Sequence, residues 1–574
     1  MERVWYKHYE EGVSPSLEYP QIPLSSLVDN AAAKYPDRTA IVFGAVAHKL
    51  PGQPLMDRTM SYRDLRESVN RFANAMVQLG VKKGDRVAIY LPNSPQFAMA
   101  YYGALKAGAI IAPVNPIYTP RELEFILRDS GAETIVALSQ FYPKLQEVRA
   151  HTALKNVIVT NIKEYFPSVL KTLFTLAMEK KEGHRVELVA GDLWFQELLK
   201  NQSAIPPQVN VTPDDDAVLL YTGGTTGVPK AAQLSHRNLL ANTVQLRAWI
   251  PWAKEGQEGF LTALPMFHSY AMTTCLNAAM YLAGTMILIP NPRDLEHILK
   301  SIQKHKPSFF PGVPTLYTAI NNYPATKQYD LKSVRACISG AAGLPVEVAK
   351  NFGEITGARL VEGYGLSEAS PVVTANPIFG ENRIGTIGLP MPDTDVKLFD
   401  VETGTNEVPV GQPGELCVRG PQVMKGYWNK PEETAKTMRD GWLHTGDVAV
   451  MDEDGYFRIV DRLKEMIISG GYNIYPREIE EVLYQHPAVL EAAAIGIPDA
   501  YRGESAKAFV VLKPGQSATA EELIAFCRQN LAPYKVPRAI EFREALPKTM
   551  IGKILRRELV AEEKAKTAQA ATKQ

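Results

Sequence analysis

The chain switches repeatedly between two hydrophobic periodicities in its first 115 residues. Ser61 to Leu79 carries apolar residues at helical spacing, and Arg86-Val-Ala-Ile-Tyr-Leu is a continuous apolar run. Pro95 to Ala107 is helical again, and Ala109-Ile-Ile-Ala-Pro-Val is a second apolar run. A strand that is apolar on both faces must be covered on both. A helix between two such strands supplies the crossover that parallel pairing needs. The pattern therefore predicts an α/β fold built on a largely parallel sheet with helices against it. No repeat at solenoid periods interrupts it.

Further along, the pattern changes twice. Val157 to Leu198 is less regular and reads as an insertion or surface excursion. From Ile384 to Tyr456 short β-prone runs alternate with Gly, Pro and Asp turns, as in Pro413-Gly-Glu-Leu-Cys-Val-Arg-Gly, which predicts a smaller antiparallel β unit. After Asp461 the expectation is a compact α+β unit: helix over Glu478–Leu483, strands over Val489–Ile497 and Ala506–Leu512, helix over Ala520–Gln529. The division expected is thus a large N-terminal domain, residues 1–461, of layered α/β parts with a β subdomain at about 384–456. A small α+β C-terminal domain, residues 462–574, follows it. The boundary falls at 461–464, and the Ala/Lys/Glu-rich tail after Leu559 is expected to fray.

Composition excludes several classes. The 62 Lys+Arg against 62 Asp+Glu leave no net charge, which argues against a nucleic-acid partner. With 45% hydrophobic and 22% charged residues, wholesale disorder is excluded. The 4 cysteines lack CxxC spacing, so neither a disulfide framework nor a zinc cluster is expected, and a reducing, cytoplasmic setting is. The charged N-terminus has no apolar core of a secretory signal. Ala271 to Pro290 carries no charge over a length close to a membrane span, but Thr273, Thr274, Asn277 and Gly284 favour a buried helix followed by a buried strand. Tyr165 to Lys181 has Phe166, Val169, Leu170, Leu173 and Leu176 at helical spacing with basic residues beside them. A core-facing helix is the favoured reading there, and peripheral contact with the inner face of a membrane is the other.

The strongest chemical signal is Asp216-Ala-Val-Leu-Leu-Tyr-Thr-Gly-Gly-Thr-Thr-Gly-Val-Pro-Lys. A buried strand runs into a loop of Gly and Thr that ends at Lys230. Glycines let backbone N–H groups turn toward an anion, threonine hydroxyls add donors, and a lysine adds charge. The Walker arrangement is absent, because Val228-Pro229-Lys230 follows Gly227. A mobile surface turn would account for the loop taken alone.

Tyr221 to Lys230 resembles the phosphate loop of the adenylate-forming superfamily, which includes acyl-CoA synthetases, luciferases and peptide-synthetase adenylation domains. Six further segments follow in that superfamily's order. They are Leu264-Pro-Met-Phe-His-Ser-Tyr, Ser339-Gly-Ala-Ala, Glu362-Gly-Tyr-Gly-Leu-Ser-Glu, Gly441-Trp-Leu-His-Thr-Gly-Asp, Asp461-Arg-Leu-Lys-Glu and Pro547-Lys-Thr-Met-Ile-Gly-Lys. The resemblance extends from about Leu24 to about Arg557. The Tyr-Thr-Gly-Gly-Thr-Thr-Gly variant and Ser469-Gly-Gly-Tyr-Asn-Ile-Tyr-Pro-Arg-Glu-Ile-Glu look most like bacterial long-chain fatty-acid–CoA ligases.

The resemblance implies a reaction in two steps. A fatty carboxylate attacks the α-phosphorus of ATP to give acyl-adenylate and pyrophosphate, and the thiol of CoA then displaces AMP. Bringing an anion to a polyanion makes catalysis chiefly a matter of positioning and charge neutralisation. By this resemblance, Lys553 touches carboxylate and α-phosphate, Glu368 binds Mg²⁺, Thr225 acts within the phosphate loop, and His268 lies beside the acyl site. A satisfied core or rim histidine remains the alternative for His268. Nucleotide contacts are implied for Thr222, Gly223, Gly224, Thr226, Gly227, Lys230, Gly340, Ala341, Tyr364, Gly365 and Ser367. Asp447 is implied at the ribose hydroxyls and Arg462 at the ribose or phosphate.

The acyl pocket is expected from Tyr270 to Cys275, Pro311 to Tyr317 and Gly340 to Gly343. The resemblance also implies a mobile C-terminal domain that swivels near Lys464, exchanging the Lys553 face for Ser469, Gly470 and Gly471 and so admitting CoA. Ala231 and Ala342-Gly343 depart from the common Gly and Ala-Pro, and Ile468 stands where aryl-acid relatives carry a lysine. Fatty acid, ATP and CoA are the expected partners, with a homodimer left open. An acyl-AMP ligase that loads a carrier protein, a CoA ligase for another apolar acid, a silent nucleotide sensor and a membrane scaffold are the competing readings.

Overall fold

The computed structural model describes residues 3–47, 54–222, 229–469, 472–499, 502–549 and 553–571. Its largest sheet has eight strands. The predicted apolar runs Arg86–Tyr90 and Ile110–Pro113 pair in parallel at its centre, with Thr134–Leu138 on one side and Asp216–Thr222 on the other. The helices between them follow the sequence signals. Tyr62–Gln78 starts at a capping box between Ser61 and Asp64, and Pro95–Lys106 starts on the Ser94 cap and is buried along its whole length. A helix with no polar face must be sandwiched between layers, and this one joins the main core cluster.

Asn156–Thr160 and Leu193–Trp194 extend this sheet at one edge, so the segment read as an insertion begins and ends inside the fold. Only the stretch between them leaves the sheet. Two smaller sheets lie beside the large one. In the first, Gly259–Thr262 and Thr285–Leu288 pair in parallel beside Thr39–Val46. In the second, Ala336–Ser339 pairs in parallel with Arg359–Gly365. Ser269–Tyr281 forms a buried helical segment ahead of the strand Thr285–Leu288, as its uncharged sequence requires, and Met272–Asn277 within it is wound as a π-helix. Among the described residues no helix is long and apolar enough to cross a membrane.

An antiparallel sheet of five strands carries Asp395–Phe399, Gly414–Arg419, Trp442–Met451, Met438–Arg439 and Phe457–Arg462. The chain leaves it at Arg462 through a turn in which Glu465 and Met466 N–H groups donate to Arg462 O. A separate sheet of Ile467–Ser469, Tyr472–Ile474, Val489–Asp499, Gly503–Leu512 and Ala539–Phe542 follows, covered by the helices Pro476–Gln485 and Ala520–Asn530. It has its own apolar clusters, so the two lobes do not share a core.

Two expectations are corrected. The helix Ser168–Ala177 does not turn its apolar stripe inward: Leu170 is buried, but Val169, Leu173 and Leu176 are 59%, 37% and 82% exposed. Helical periodicity reports that one face is apolar and not what covers it. The tail does not fray after Leu559: Arg556–Ala571 is one helix, with Leu559 buried and Lys566 paired to Glu541 and Glu563.

Candidate active site

The Gly/Thr loop joins two hydrogen-bonded strands. Asp216–Thr222 and Lys230–Ser235 pair antiparallel, with Thr222 opposite Lys230 at the open end. The loop therefore springs from the C-terminal end of a strand in the parallel part of the sheet, where such folds bind ligands. Gly223, Gly224, Thr225, Thr226 and Gly227 themselves lie outside the described residues. Lys230 at the loop's exit forms an ion pair with Glu433 and lies 5.3 Å from the centroid of the Tyr427 ring.

Glu362-Gly-Tyr-Gly-Leu-Ser-Glu covers the end of the strand Arg359–Gly365 and the short turn Ser367–Ala369. Only glycine fits at 365, because a Cβ there would sit 2.0 Å from Pro371 O. The packed turn sets Ser367 Oγ 3.2 Å from Ser269 Oγ and lets Glu368 Oε1 accept from the Tyr427 hydroxyl at 2.8 Å. Burial raises the Glu368 carboxyl above its ordinary range. A half-buried acid whose charge is resisted gains by meeting a cation. Carboxylate oxygen is the donor that Mg²⁺ prefers, so Glu368 fits the ion the resemblance implies.

Gly340 and Ala341 follow the strand Ala336–Ser339, and Ala341 holds φ +69°. A left-handed alanine costs roughly 1 kcal/mol or more, and such strain collects where backbone groups meet a ligand. His268 caps the segment beginning at Ser269, its Nδ1 accepting from Tyr270 N–H at 3.2 Å. That bond leaves the ring proton on Nε2. Burial, with Lys553 nearby, lowers the His268 pKa to about 4, so the ring is neutral at pH 7 and Nε2–H is a donor.

Asp447 and Arg462 face each other across paired strands and form an ion pair at 3.0 Å. The second Asp447 oxygen accepts from the Tyr364 hydroxyl at 2.6 Å. The ribose and adenine candidates are thus adjacent, although 83 residues separate them in the chain. Lys464 is exposed in the turn after Arg462.

Lys553 comes from the small lobe, in a loop where its N–H donates to Thr549 Oγ1 and its carbonyl accepts from Thr549 N–H. Burial lowers its pKa to about 8, with the Arg462 charge adding to the effect and Asp447 and Glu465 opposing it. Lys553 lines one cleft with His268, Gly340, Tyr364, Ser367, Glu368 and Asp447. Ser469 is buried at the end of the strand Ile467–Ser469, whose first residue lines the cleft, and Gly470 and Gly471 lie outside the described residues.

Two residues in this site carried no signal in the sequence. Tyr427, on the short strand Gly426–Tyr427, and Glu433, in the helix Pro431–Thr437, hold Glu368 and Lys230, yet an isolated Tyr or Glu in a polar stretch of sequence looks like any other. Arg477 of the small lobe, within the segment from Ser469 to Glu480, sits 3.9 Å from Glu362 of the large one.

Comparison with known proteins agrees with this geometry. Residues 28–428 match the family described as AMP-binding enzyme, and residues 478–553 match the AMP-binding enzyme C-terminal domain. The chain is 46% identical over 567 residues to a long-chain-fatty-acid–CoA ligase of Bacillus subtilis, covering 98% of each. It is 43% identical over 576 residues to a protein of the same name from Escherichia coli, covering 99% of each. The crystal structure of the anthranilate CoA ligase AuaEII in complex with anthranoyl-AMP superposes with a TM-score of 0.83 at 27% identity, over 96% of this chain and 99% of that one. By family match, full-length identity and fold alike, the chain belongs to the AMP-binding, adenylate-forming enzymes.

Proposed function

We propose that this protein is an ATP-dependent long-chain fatty acid–CoA ligase. A carboxylate oxygen attacks the α-phosphorus, the bond to pyrophosphate breaks, and the CoA sulfur then attacks the acyl carbon as AMP leaves. The observation that carries the reading is the convergence of Lys553 from one lobe with His268, Glu368 and Asp447 from the other on one cleft.

Each group has a task its chemistry suits. The Lys553 ammonium offsets charge where carboxylate and phosphate meet. His268 stays neutral and donates Nε2–H to the acyl oxygen. Asp447 accepts from the ribose hydroxyls, Tyr364 and the Gly340–Ala341 backbone bound the base, and Arg462 steadies Asp447. Thr222, Lys230 and the loop between them hold the outer phosphates. Glu368 would hold Mg²⁺, which when bound neutralises charge on the departing pyrophosphate. For the second step the small lobe turns about the Arg462–Glu465 turn and presents the Ser469–Gly471 face, since Lys553 and CoA both need the same approach.

Pyrophosphate release with acids from acetate to oleate, with and without CoA, tests this. Release should stop near one equivalent without CoA and continue with it. The kcat/KM should climb with chain length, by up to about fourfold per methylene while the pocket lasts. Turnover with a carrier protein but not with CoA would favour an acyl-AMP ligase, and release indifferent to the acid would discard both readings.

The exposed stripe Val169, Leu173 and Leu176, with exposed Lys180, Lys181 and Arg185 beside it, supports peripheral contact with an anionic lipid surface at the cytoplasmic face. Leu176→Asp should lower co-sedimentation with anionic vesicles about tenfold or more, since one leucine side chain is worth about 1.5–3 kcal/mol buried. Unchanged binding would remove this helix from the membrane contact.

A further inference from the structure

The run Pro413-Gly-Glu-Leu-Cys-Val-Arg-Gly holds a buried acid that none of the roles above employs. Glu415 lies on the strand Gly414–Arg419 and is 6% exposed. Its strand pairs with Trp442–Met451, but the register skips: Glu415 faces Val448, and Cys417 faces His444. Leu416 alone therefore stands opposite Thr445, Gly446 and Asp447, which bulge out of the ladder. A bulge of this kind re-aims the side chain it carries. Here that side chain is Asp447.

The bulge is held from beneath. Glu415 Oε1 accepts from Gly446 N–H at 3.1 Å, and Glu415 Oε2 lies 2.8 Å from His444 Nδ1 and 3.3 Å from the Arg439 guanidinium. Thr445 Oγ1 donates to Leu416 O at 2.7 Å and accepts from Asp447 N–H at 3.1 Å. Gly446 holds φ +72°, and its carbonyl accepts from Leu463 N–H in the turn between the lobes. The Glu415 carboxylate thus reaches Gly446, next to Asp447, and His444 at the start of the bulge, and its countercharge is Arg439. Cys417 joins the cluster, with Sγ 3.2 Å from His444 Nδ1.

We propose that Glu415 is a positioning residue for the nucleotide: by pinning the Thr445–Asp447 bulge it aims the Asp447 carboxylate at the ribose hydroxyls. This rests on the reading that Asp447 binds ribose. A buried carboxylate accepting from backbone N–H makes one of the stronger hydrogen bonds available, and a small displacement of a binding group lowers affinity steeply. Glu415 therefore governs nucleotide affinity and sugar selectivity, while the acyl site, on other strands, is untouched by it.

Steady-state kinetics of the full-length enzyme with ATP and 3′-deoxy-ATP test the proposal. Glu415→Ala should raise KM for ATP about tenfold or more, the worth of a hydrogen bond to a charged group. It should leave kcat and the fatty-acid KM within about threefold and erase the preference for ATP over 3′-deoxy-ATP. Glu415→Gln keeps an acceptor for Gly446 N–H and should restore most of the affinity. In an Asp447→Ala background, Glu415→Ala should add nothing. Should the alanine variant fail to fold, Glu415→Asp, which draws the carboxylate back by one methylene, should give the same selective loss in milder form. An ATP KM and sugar preference unchanged in Glu415→Ala or Glu415→Asp would overturn the proposal. So would a fall in kcat alone, or additive effects with Asp447→Ala. If Asp447→Ala itself keeps the sugar preference, the ribose reading fails first, and independently of Glu415.

Discussion

Replacing Lys553 with alanine is expected to lower the rate of fatty-acid-dependent pyrophosphate release by about 10²–10³, the usual effect of deleting one preorganised charge-stabilising group. The reason lies in where the residue is. Lys553 is an ammonium that the small lobe brings to a cleft lined by both lobes, with His268, Glu368 and Asp447 on the side of the large one. In the proposed reaction it meets a carboxylate and a phosphate that repel each other, and its stabilisation is greatest as they bond. The loss should be confined to the first step: with acyl-adenylate supplied, thioester formation should stay within about tenfold of the parent, because that step does not use the ammonium. Equal loss in both steps would mean that Lys553 only supports the fold.

The same group sets an alkaline limit. In the proposed reaction Lys553 acts protonated, and in the free enzyme its pKa is lowered to about 8, by burial and then by Arg462. The kcat/KM for ATP should therefore be level below pH 8 and fall about tenfold per pH unit above it. Bound phosphate favours the ammonium, so the fall in kcat should begin at higher pH. An unaltered alkaline limb in Lys553→Ala would assign it to another group.

Glu368→Gln is expected to lower kcat/KM for ATP by about 10² or more and to raise the Mg²⁺ concentration needed for half-maximal rate. The neutral amide keeps the shape and an oxygen but loses the charge. Tyr427→Phe is the control: it removes the hydroxyl that donates to Glu368 Oε1 at 2.8 Å and leaves the carboxylate, so roughly a tenfold effect is expected. A Mg²⁺ requirement unchanged in Glu368→Gln would move the ion to other ligands.

Much of this was legible in the sequence because it is local. The helix Tyr62–Gln78 announces itself by apolar spacing and by Ser61 and Asp64 three residues apart. The strand Asp216–Thr222 announces itself by an apolar run that stops at glycines. Of the site, the segments carrying Glu368, Asp447 and Lys553 could be read, because their residue types and order resemble a family. Their partners could not. Tyr427 reaches Glu368 across 59 residues and Glu433 reaches Lys230 across 203, and no local pattern encodes such meetings. The same limit explains the helix Ser168–Ala177: its periodicity is the same whether its stripe meets a core or solvent. It explains the tail as well, since the ion pairs of Lys566 with Glu541 and Glu563 are invisible in an Ala/Lys/Glu-rich composition.

The central claim is that a carboxylate oxygen bonds to the α-phosphorus before sulfur arrives. It is tested most directly by running one turnover with a fatty acid labelled with ¹⁸O in both carboxylate oxygens and locating the label by mass spectrometry. The account predicts one ¹⁸O in the phosphate of AMP, one retained in the acyl-CoA, and none in pyrophosphate. Label in inorganic phosphate with ADP as the nucleotide product, or AMP free of label, would contradict it.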